Sequence, residues 1–190
     1  MTCFAYVFPC AWEDHCKIGF SRDPLARIGQ LHPRWFEFFD LAQGLLVEAE
    51  TEREARDLEL ALRRPLSAHR APQPLTIAAA AGGHTEWVRG ARAQLLDEMD
   101  RLRAGGYQVH APLSDWLRDA LLARAELLYD WTSAQLAPDE LEHRAADTGP
   151  QRVVRDALDA YVALGIALET RLPQPVWRWY RALAGRGALR

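Results

Sequence analysis

The sequence has little lysine, little cysteine and no long apolar run. Only one of its 23 basic residues, Lys17, is a lysine, so nearly all of the positive charge is carried by arginine, whose planar fork suits phosphate oxygens. No apolar run approaches the roughly 18 residues that span a membrane, and the first residues lack the pattern of a signal peptide. We therefore expect a cytoplasmic protein that does not enter a membrane.

An odd number of cysteines in a chain without an export signal argues against a disulfide framework. A metal site formed by Cys10, His15 and Cys16 is disfavoured, because neither a Cys-x-x-Cys pair nor a second pair of ligands accompanies them. We therefore expect Cys3, Cys10 and Cys16 to be free thiols that are buried or half-buried.

The sequence also lacks an excess of positive charge, since its formal net charge is −3 and its pI is near 6.1. Proteins that hold nucleic acid mainly through non-specific phosphate contacts are usually basic. Any contact with nucleic acid is therefore expected at a local patch of the surface.

Apolar periodicity predicts an α+β unit over residues 1–106, in which a small three-stranded antiparallel sheet is flanked by helices. The third strand is expected to bulge near Gly44, where a glycine interrupts its apolar pattern. The predicted strands are residues 4–8, 15–20 and 35–50. The predicted helices are residues 24–32, 51–69 and 85–104.

Residues 107–190 are predicted to form a separate, all-helical unit of unknown role, suited to substrate choice or to a protein partner. Near its end, aromatic residues alternate with arginines, which suits either the stacking of single-stranded bases or, as we favour, anchoring of a helix in the core. These residues are Trp177, Arg178, Trp179, Tyr180 and Arg181. The predicted helices are residues 114–137, 138–146, 151–171 and 175–184.

The segment "CKIGFSRDPLAR", residues 16–27, places a cation on each side of a predicted strand-to-helix turn. Gly19 tolerates a positive φ and lets the backbone approach a ligand closely. Either Ser21 or Asp23 can cap the helix that follows. Ser21, Arg22 and the start of this helix can also contact a phosphate group.

Five features follow one another over about residues 3–90, namely "AYVF", "KIG", "SRDPLAR", the acidic helix "ARDLELALRRPL" and "GGHTEW". In this order they resemble the GIY-YIG nuclease superfamily. The closest likeness is to the phage and bacterial branch, in which "KIG" is followed by S-x-D-P-x-x-R. The resemblance implies an endonuclease, phage- or defence-related, that uses Mg²⁺ or Mn²⁺ to hydrolyse DNA phosphodiester bonds.

The resemblance also implies a role for each matching residue. Tyr6 would activate the attacking water, Arg27 would bind the scissile phosphate, and Glu59 would be the single carboxylate that holds the metal. Lys17 stands where many members have a second tyrosine, and with the metal it would favour the phenolate of Tyr6. The residues implied in substrate binding are Gly19, Ser21, Arg22 and Arg63. The residues that would support the site from nearby are His32, His84 and Glu86.

The same residues also allow an account without catalysis. Glu59 and Arg63 form an ordinary i,i+4 ion pair on a charged helix, and this branch often has a histidine at the position of Arg63. A second hypothesis is therefore a catalytically degenerate fold that binds DNA or a protein. A third is an accessory subunit of a phage or defence system that never touches nucleic acid. The oligomeric state is not predicted by the sequence.

The nuclease hypothesis makes a geometric demand. Tyr6, Lys17, Arg27 and Glu59 can converge on one cleft if the helices lie on the face of the sheet that carries Tyr6. If Glu59 instead points toward Arg63 on the far side, it cannot be the metal ligand of this site.

Overall fold

The computed structural model describes residues 2–83, 85–142 and 147–187, which form two compact units, Met1–Leu117 and Arg118–Arg190. The first unit extends past residue 106, the boundary suggested by the sequence, because residues 109–110 add a strand to its sheet. Leu113 then donates its backbone N–H to the carbonyl of Gly44 at 2.9 Å. No helix in the described part of the chain is long and apolar enough to cross a bilayer.

The first unit has the predicted α+β architecture, but its sheet contains five strands rather than three. The strand order is β4-β2-β1-β3-β5, and every neighbouring pair is antiparallel. The two added strands have only three and two residues, which is too short for an alternating pattern to reveal them. The strands are β1 Cys3–Pro9, β2 His15–Ser21, β3 Leu45–Ala49, β4 Trp87–Arg89 and β5 Val109–His110. The helices are α1 Pro24–Leu31, α2 Trp35–Phe38, α3 Glu52–Arg63, α4 Arg92–Ala104 and α5 Leu113–Leu122, which ends in the second unit.

The prediction of one long strand over residues 35–50 was wrong. Its aromatic half forms the short helix α2 and a turn, and the buried ring of Phe39 lies 5.7 Å from that of Phe8. Gly44 is required by a close approach rather than by a bulge, since a Cβ there would lie 2.7 Å from a methyl carbon of Leu113.

The predicted helix over residues 85–104 was wrong in its first part. Residues 87–89 form β4, where Trp87 and Val88 are buried against the sheet. Gly90 follows with a φ of +68°, a conformation that no residue in a right-handed helix adopts, so α4 begins only at Arg92.

The two faces of the sheet have different partners. Ala5 and Val7 lie in the main apolar core together with the buried apolar residues of α3 and α4. Tyr6 and Phe8 alternate with them in β1, and their rings stack at 4.2 Å. The three cysteines are free and buried, as predicted.

The second unit is helical, as predicted, although its helices are shorter. A 3₁₀ turn at Ala125–Leu127 follows α5, and the predicted helix over 151–171 ends at Ala163. Trp179 and Tyr180 are buried, and the Tyr180 hydroxyl donates to Asp159 at 2.6 Å, which favours anchoring over base stacking for both. The helices are α6 Leu128–Gln135, α7 Pro138–Glu142, α8 Gly149–Ala163 and α9 Gln174–Gly187; residues 143–146 of the predicted helix 138–146 lie outside the described residues.

Candidate active site

Tyr6 and Gly19 face each other across β1 and β2. The phenol of Tyr6 passes directly over Gly19, and a Cβ at that position would lie 2.3 Å from the Tyr6 Oη and 2.5 Å from its Cζ. Position 19 is therefore a glycine because any side chain there would collide with the Tyr6 ring. Its backbone conformation is not the reason, since its φ is not positive. The Nε–H of Arg27 on α1 donates to the same Oη at 3.2 Å.

We expect Gly19→Ala to lower the free energy of unfolding by about 1–3 kcal/mol, because the added methyl group overpacks against the Tyr6 ring. Urea denaturation measures the loss. Gly29→Ala is the matched control, since its Cβ would meet nothing closer than 3.9 Å and should stabilise α1 by about 0.5–1 kcal/mol. Equal stability of the Gly19→Ala and Gly29→Ala variants would show that a methyl group fits beside the Tyr6 ring at position 19.

Lys17 is completely buried, with no exposed side-chain surface. Its Nζ donates to the carbonyl of Gly83 at 2.9 Å and to the carboxylate of Glu86, and it lies 5.7 Å from the centre of the Trp87 ring. The ammonium charge is thus paired by Glu86. The cation that touches Tyr6 is Arg27 rather than Lys17.

Burial controls the titration of both groups. It raises the pKa of Tyr6 to about 12; the Arg27 hydrogen bond and charge oppose this, and the charges of Glu86 and Glu59 add to it. Burial also lowers the pKa of Lys17, against the hydrogen bond and charge of Glu86. Tyr6 is therefore a neutral phenol at neutral pH, within electrostatic reach of one cation and two carboxylates.

Glu59 lies on α3 and is 5% exposed. Its Oε1 accepts a hydrogen bond from Arg63 at 2.6 Å, and the second amino group of Arg63 donates to the carbonyl of Thr85 at 3.0 Å. The apolar residues of α3 pack on the sheet face opposite Tyr6, so of the two helices that carry Arg27 and Glu59 only α1 lies on the face that the nuclease hypothesis demands.

Glu59 does point toward Arg63, which counts against it as the metal ligand. Arg63 also contacts Thr85, next to the Glu86 that pairs with Lys17, so the ion pair lies beside the site rather than on the far side of the sheet. Glu59 nevertheless affects the pKa values of Tyr6 and Lys17, so its charge acts on the same site.

The carboxylate of Glu59 keeps one oxygen available for a metal ion, since Oε2 has no hydrogen-bond partner within residues 2–83, 85–142 and 147–187. In the same part of the chain, no three His, Cys, Asp or Glu side chains gather into a metal site. Glu59 is the carboxylate that would hold a divalent ion here, with phosphate and water as the other ligands.

Three cations of the site hold the same loop. Arg27 donates to the carbonyl of Ala81 at 2.7 Å, Lys17 to that of Gly83 and Arg63 to that of Thr85. We call residues 81–83, 85 and 86 together the strap. His84, predicted to support the site, lies outside the described residues and is not part of it. The strap joins three separate pairs, namely Tyr6–Arg27, Lys17–Glu86 and Glu59–Arg63.

The strap is the part of the site that sequence reasoning missed. Apart from the carboxylate of Glu86, which the sequence did single out, its contacts use backbone carbonyls, which carry no residue-type signal. One indication was present, since Gly82 and Gly83 adopt φ values of +69° and +70°, a region that favours glycine. A Cβ on Gly83 would lie 2.3 Å from the Lys17 Nζ, so this glycine also permits a close approach.

Residues on the turn before α1 line an open cavity of about 460 Å³ that reaches Arg27 but not Tyr6 or Glu59. Ser21 accepts the backbone N–H of Asp23 at 3.0 Å, and Asp23, not Ser21, caps α1 by accepting from Ala26. The cavity is lined by Phe20, Ser21, Arg22, Asp23, Ala26, Arg27, Gln30 and Glu52.

Arg22 and His32 make contacts away from Tyr6. Arg22 is 62% exposed and pairs with Glu52. His32 ends α1, where its Nδ1 accepts the backbone N–H of Arg34 and its ring stacks on Phe38. These contacts place His32 in the turn between α1 and α2, where it orders the turn rather than contacting Tyr6.

Comparisons of the chain with protein-family models, with curated proteins and with solved structures gave no match. A function for the chain therefore has to be argued from its own residues.

Proposed function

We propose that the first unit is a GIY-YIG-type endonuclease that hydrolyses DNA phosphodiester bonds with Mg²⁺ or Mn²⁺. The observation that supports this most strongly is the direct contact between the Tyr6 hydroxyl and the Arg27 guanidinium, made possible by Gly19. In this proposal, the phenol that acts on the attacking water lies directly beside the guanidinium that binds the phosphate. The charge of Glu59 also raises the pKa of that phenol.

Arg27 binds the scissile phosphate in this proposal. Hydrolysis builds negative charge on the phosphate oxygens, and a preorganised guanidinium stabilises that charge more in the transition state than in the ground state. Its hydrogen bonds to Tyr6 and Ala81 hold the planar group in one orientation before substrate arrives. Arg27 thereby also fixes the phosphate relative to the phenol.

Tyr6 orients the attacking water. With a pKa of about 12 the phenol does not ionise by itself at neutral pH, and positive charge added beside it favours the phenolate. Lys17 does not supply this charge, because Glu86 already pairs with it. Lys17 instead holds Gly83 and Glu86 in place beside the site.

Glu59 would hold the divalent ion through Oε2, while Arg63 fixes the orientation of the carboxylate through Oε1. Carboxylate oxygens are the hard ligands that Mg²⁺ and Mn²⁺ prefer. When bound, the ion supplies Lewis-acid stabilisation of charge on the phosphate.

A catalytically degenerate module that binds DNA or a protein is the second candidate. The ion pair between Glu59 and Arg63 favours it, because the guanidinium already neutralises the carboxylate and takes one of its oxygens. In either case we assign substrate choice or a protein partner to the helical unit.

Incubation of the purified protein with supercoiled plasmid and Mg²⁺ or Mn²⁺ separates the two candidates. The nuclease nicks or cuts the plasmid, and EDTA abolishes the reaction. Salt-sensitive DNA binding without cleavage under any of these conditions supports the degenerate module.

A further inference from the structure

Helix α9 of the second unit has two different faces. The residues of its inner face are buried, and one of them, Tyr180, donates its hydroxyl hydrogen to Asp159 at 2.6 Å. On the outer face Arg178 and Arg181 are exposed, and Trp177 is half-buried beside them. The buried residues anchor the helix, whereas anchoring does not require the two arginines of the outer face.

The outer residues of α9 form one continuous surface. The guanidinium carbon of Arg181 lies 5.8 Å from the centre of the Trp177 ring, within the range of a cation–π contact. Arg178 precedes Arg181 by three positions, so the two side chains are neighbours on the helix surface. We call Trp177, Arg178 and Arg181 together the α9 patch.

The arginines of the α9 patch lack an acidic partner within the part of the chain that the structure describes. Neither Arg178 nor Arg181 forms an ion pair there, although the acidic helix α7 packs on α9. By contrast, Arg101 and Arg103 of α4 each pair with an acidic residue three positions earlier. Residues 174–187 include three arginines and no acidic residue, in a chain whose net charge is −3. The patch therefore offers its positive charge to a ligand.

We propose that the α9 patch binds single-stranded nucleic acid, with a base stacked on Trp177 and phosphate groups on Arg178 and Arg181. Every base has a π-face that can stack on an aromatic ring, and arginine presents a planar fork to phosphate oxygens. In a duplex each base face is covered by its neighbours, so the Trp177 ring favours an unpaired strand. The inference does not depend on cleavage. Under the proposed nuclease function, it gives the helical unit a part in the choice of substrate.

The role of the arginines is tested by anisotropy with a fluorescein-labelled oligothymidylate in EDTA, where no metal-dependent cleavage occurs. We expect the double variant Arg178→Gln, Arg181→Gln to bind at least about tenfold more weakly at low salt. The slope of log affinity against log salt concentration should become shallower by about 1.4, since each phosphate contact on a single strand contributes about 0.7. Both side chains are exposed, so the variant should fold.

The matched control is the double variant Arg101→Gln, Arg103→Gln. It removes the same charge from exposed positions of α4 and should leave the slope unchanged. Equal losses of affinity and slope in the two double variants would show that only the net charge matters, and would overturn the proposal.

Stacking is tested by Trp177→Ala, which should weaken binding of the same strand at least about fivefold, the low end of what one stacked base contributes. Trp177→Phe keeps an aromatic ring and should lose less than about threefold, which separates stacking from a general loss of structure. Trp12→Ala is the control, because it removes an 86%-exposed tryptophan from the loop between β1 and β2 and should match the wild type. Wild-type affinity in Trp177→Ala would overturn the stacking.

Ultraviolet cross-linking to a strand that contains 5-iodouracil locates the site without any substitution. After tryptic digestion, residues 172–178 form one peptide in which Trp177 is the only aromatic residue. We expect mass spectrometry to find the adduct on this peptide. Adducts confined to peptides of the first unit would overturn the proposal. Failure of the wild type to bind a single strand would also overturn it and leave this face of α9 to a protein partner.

The outcome for the α9 patch can be told apart from the outcome for the nuclease. Single-strand binding that depends on the patch, without cleavage of any DNA in Mg²⁺, supports the patch and contradicts the nuclease. Cleavage in Mg²⁺ together with single-strand binding that no patch variant alters supports the nuclease and contradicts the patch. Binding to a duplex of the same length as tightly as to the single strand overturns the assignment of an unpaired strand.

Discussion

Replacement of Arg27 by alanine is expected to slow DNA cleavage by at least about a hundredfold, the cost of removing one preorganised donor from a site of developing negative charge. The variant should remain folded, because the side chain is half-buried and its hydrogen bonds to Tyr6 and Ala81 contribute about 1–2 kcal/mol to stability. Plasmid nicking rates in Mg²⁺ and urea denaturation measure the two effects separately.

Arg22→Ala is the matched control for this prediction. Arg22 lies five residues earlier and carries the same charge, but it is exposed and pairs with Glu52 rather than with Tyr6. Its loss should change the nicking rate less than about threefold, as expected of an exposed ion pair. Similar rates for the Arg22 and Arg27 variants would mean that Arg27 does not bind the scissile phosphate.

Glu59→Gln is expected to have the largest effect, a loss of about a thousandfold in metal-dependent cleavage, since the bound ion contributes several kcal/mol to transition-state stabilisation. Glutamine has the shape of glutamate, and its amide oxygen can still accept the hydrogen bond from Arg63. The fold should therefore persist while the charge that attracts a cation is lost. Rates measured over a range of Mg²⁺ concentrations test this directly.

Glu52→Gln controls for the removal of one carboxylate from the same helix. Glu52 lies in the first turn of α3, half-exposed and paired with Arg22, so the variant should keep the wild-type dependence on Mg²⁺. Cleavage that survives Glu59→Gln would remove Glu59 as the metal ligand and leave it as the partner of Arg63.

Local rules predicted the framework of the site well. The hairpin of β1 and β2 follows from two short runs rich in β-branched and aromatic residues that are separated by a polar loop, and its register places Tyr6 opposite Gly19. The helix that carries Glu59 begins at Thr51, whose hydroxyl accepts the N–H of Glu54 at 3.1 Å, as a capping residue should. These features depend on residues close together in the chain, which is why the sequence reveals them.

Features formed by distant segments were not predictable in the same way. β4 has only three residues, and in the sheet its Trp87 lies opposite Lys17 of β2, 70 positions earlier in the chain. The sequence pattern also could not identify Glu86 as the partner of Lys17, because the two residues are 69 positions apart in the chain. Residue type identified the charged groups of the site, whereas their pairing depends on tertiary contacts.

Crystals of the protein soaked in Mn²⁺ with a short DNA oligonucleotide, measured at the manganese edge, show whether Glu59 and Arg27 belong to one metal-dependent phosphodiesterase site. We expect an anomalous peak within about 2–2.5 Å of the Glu59 carboxylate, with a phosphate group on Arg27. An ion bound elsewhere, with Glu59 held only by Arg63 at Mn²⁺ concentrations that support cleavage, would contradict it.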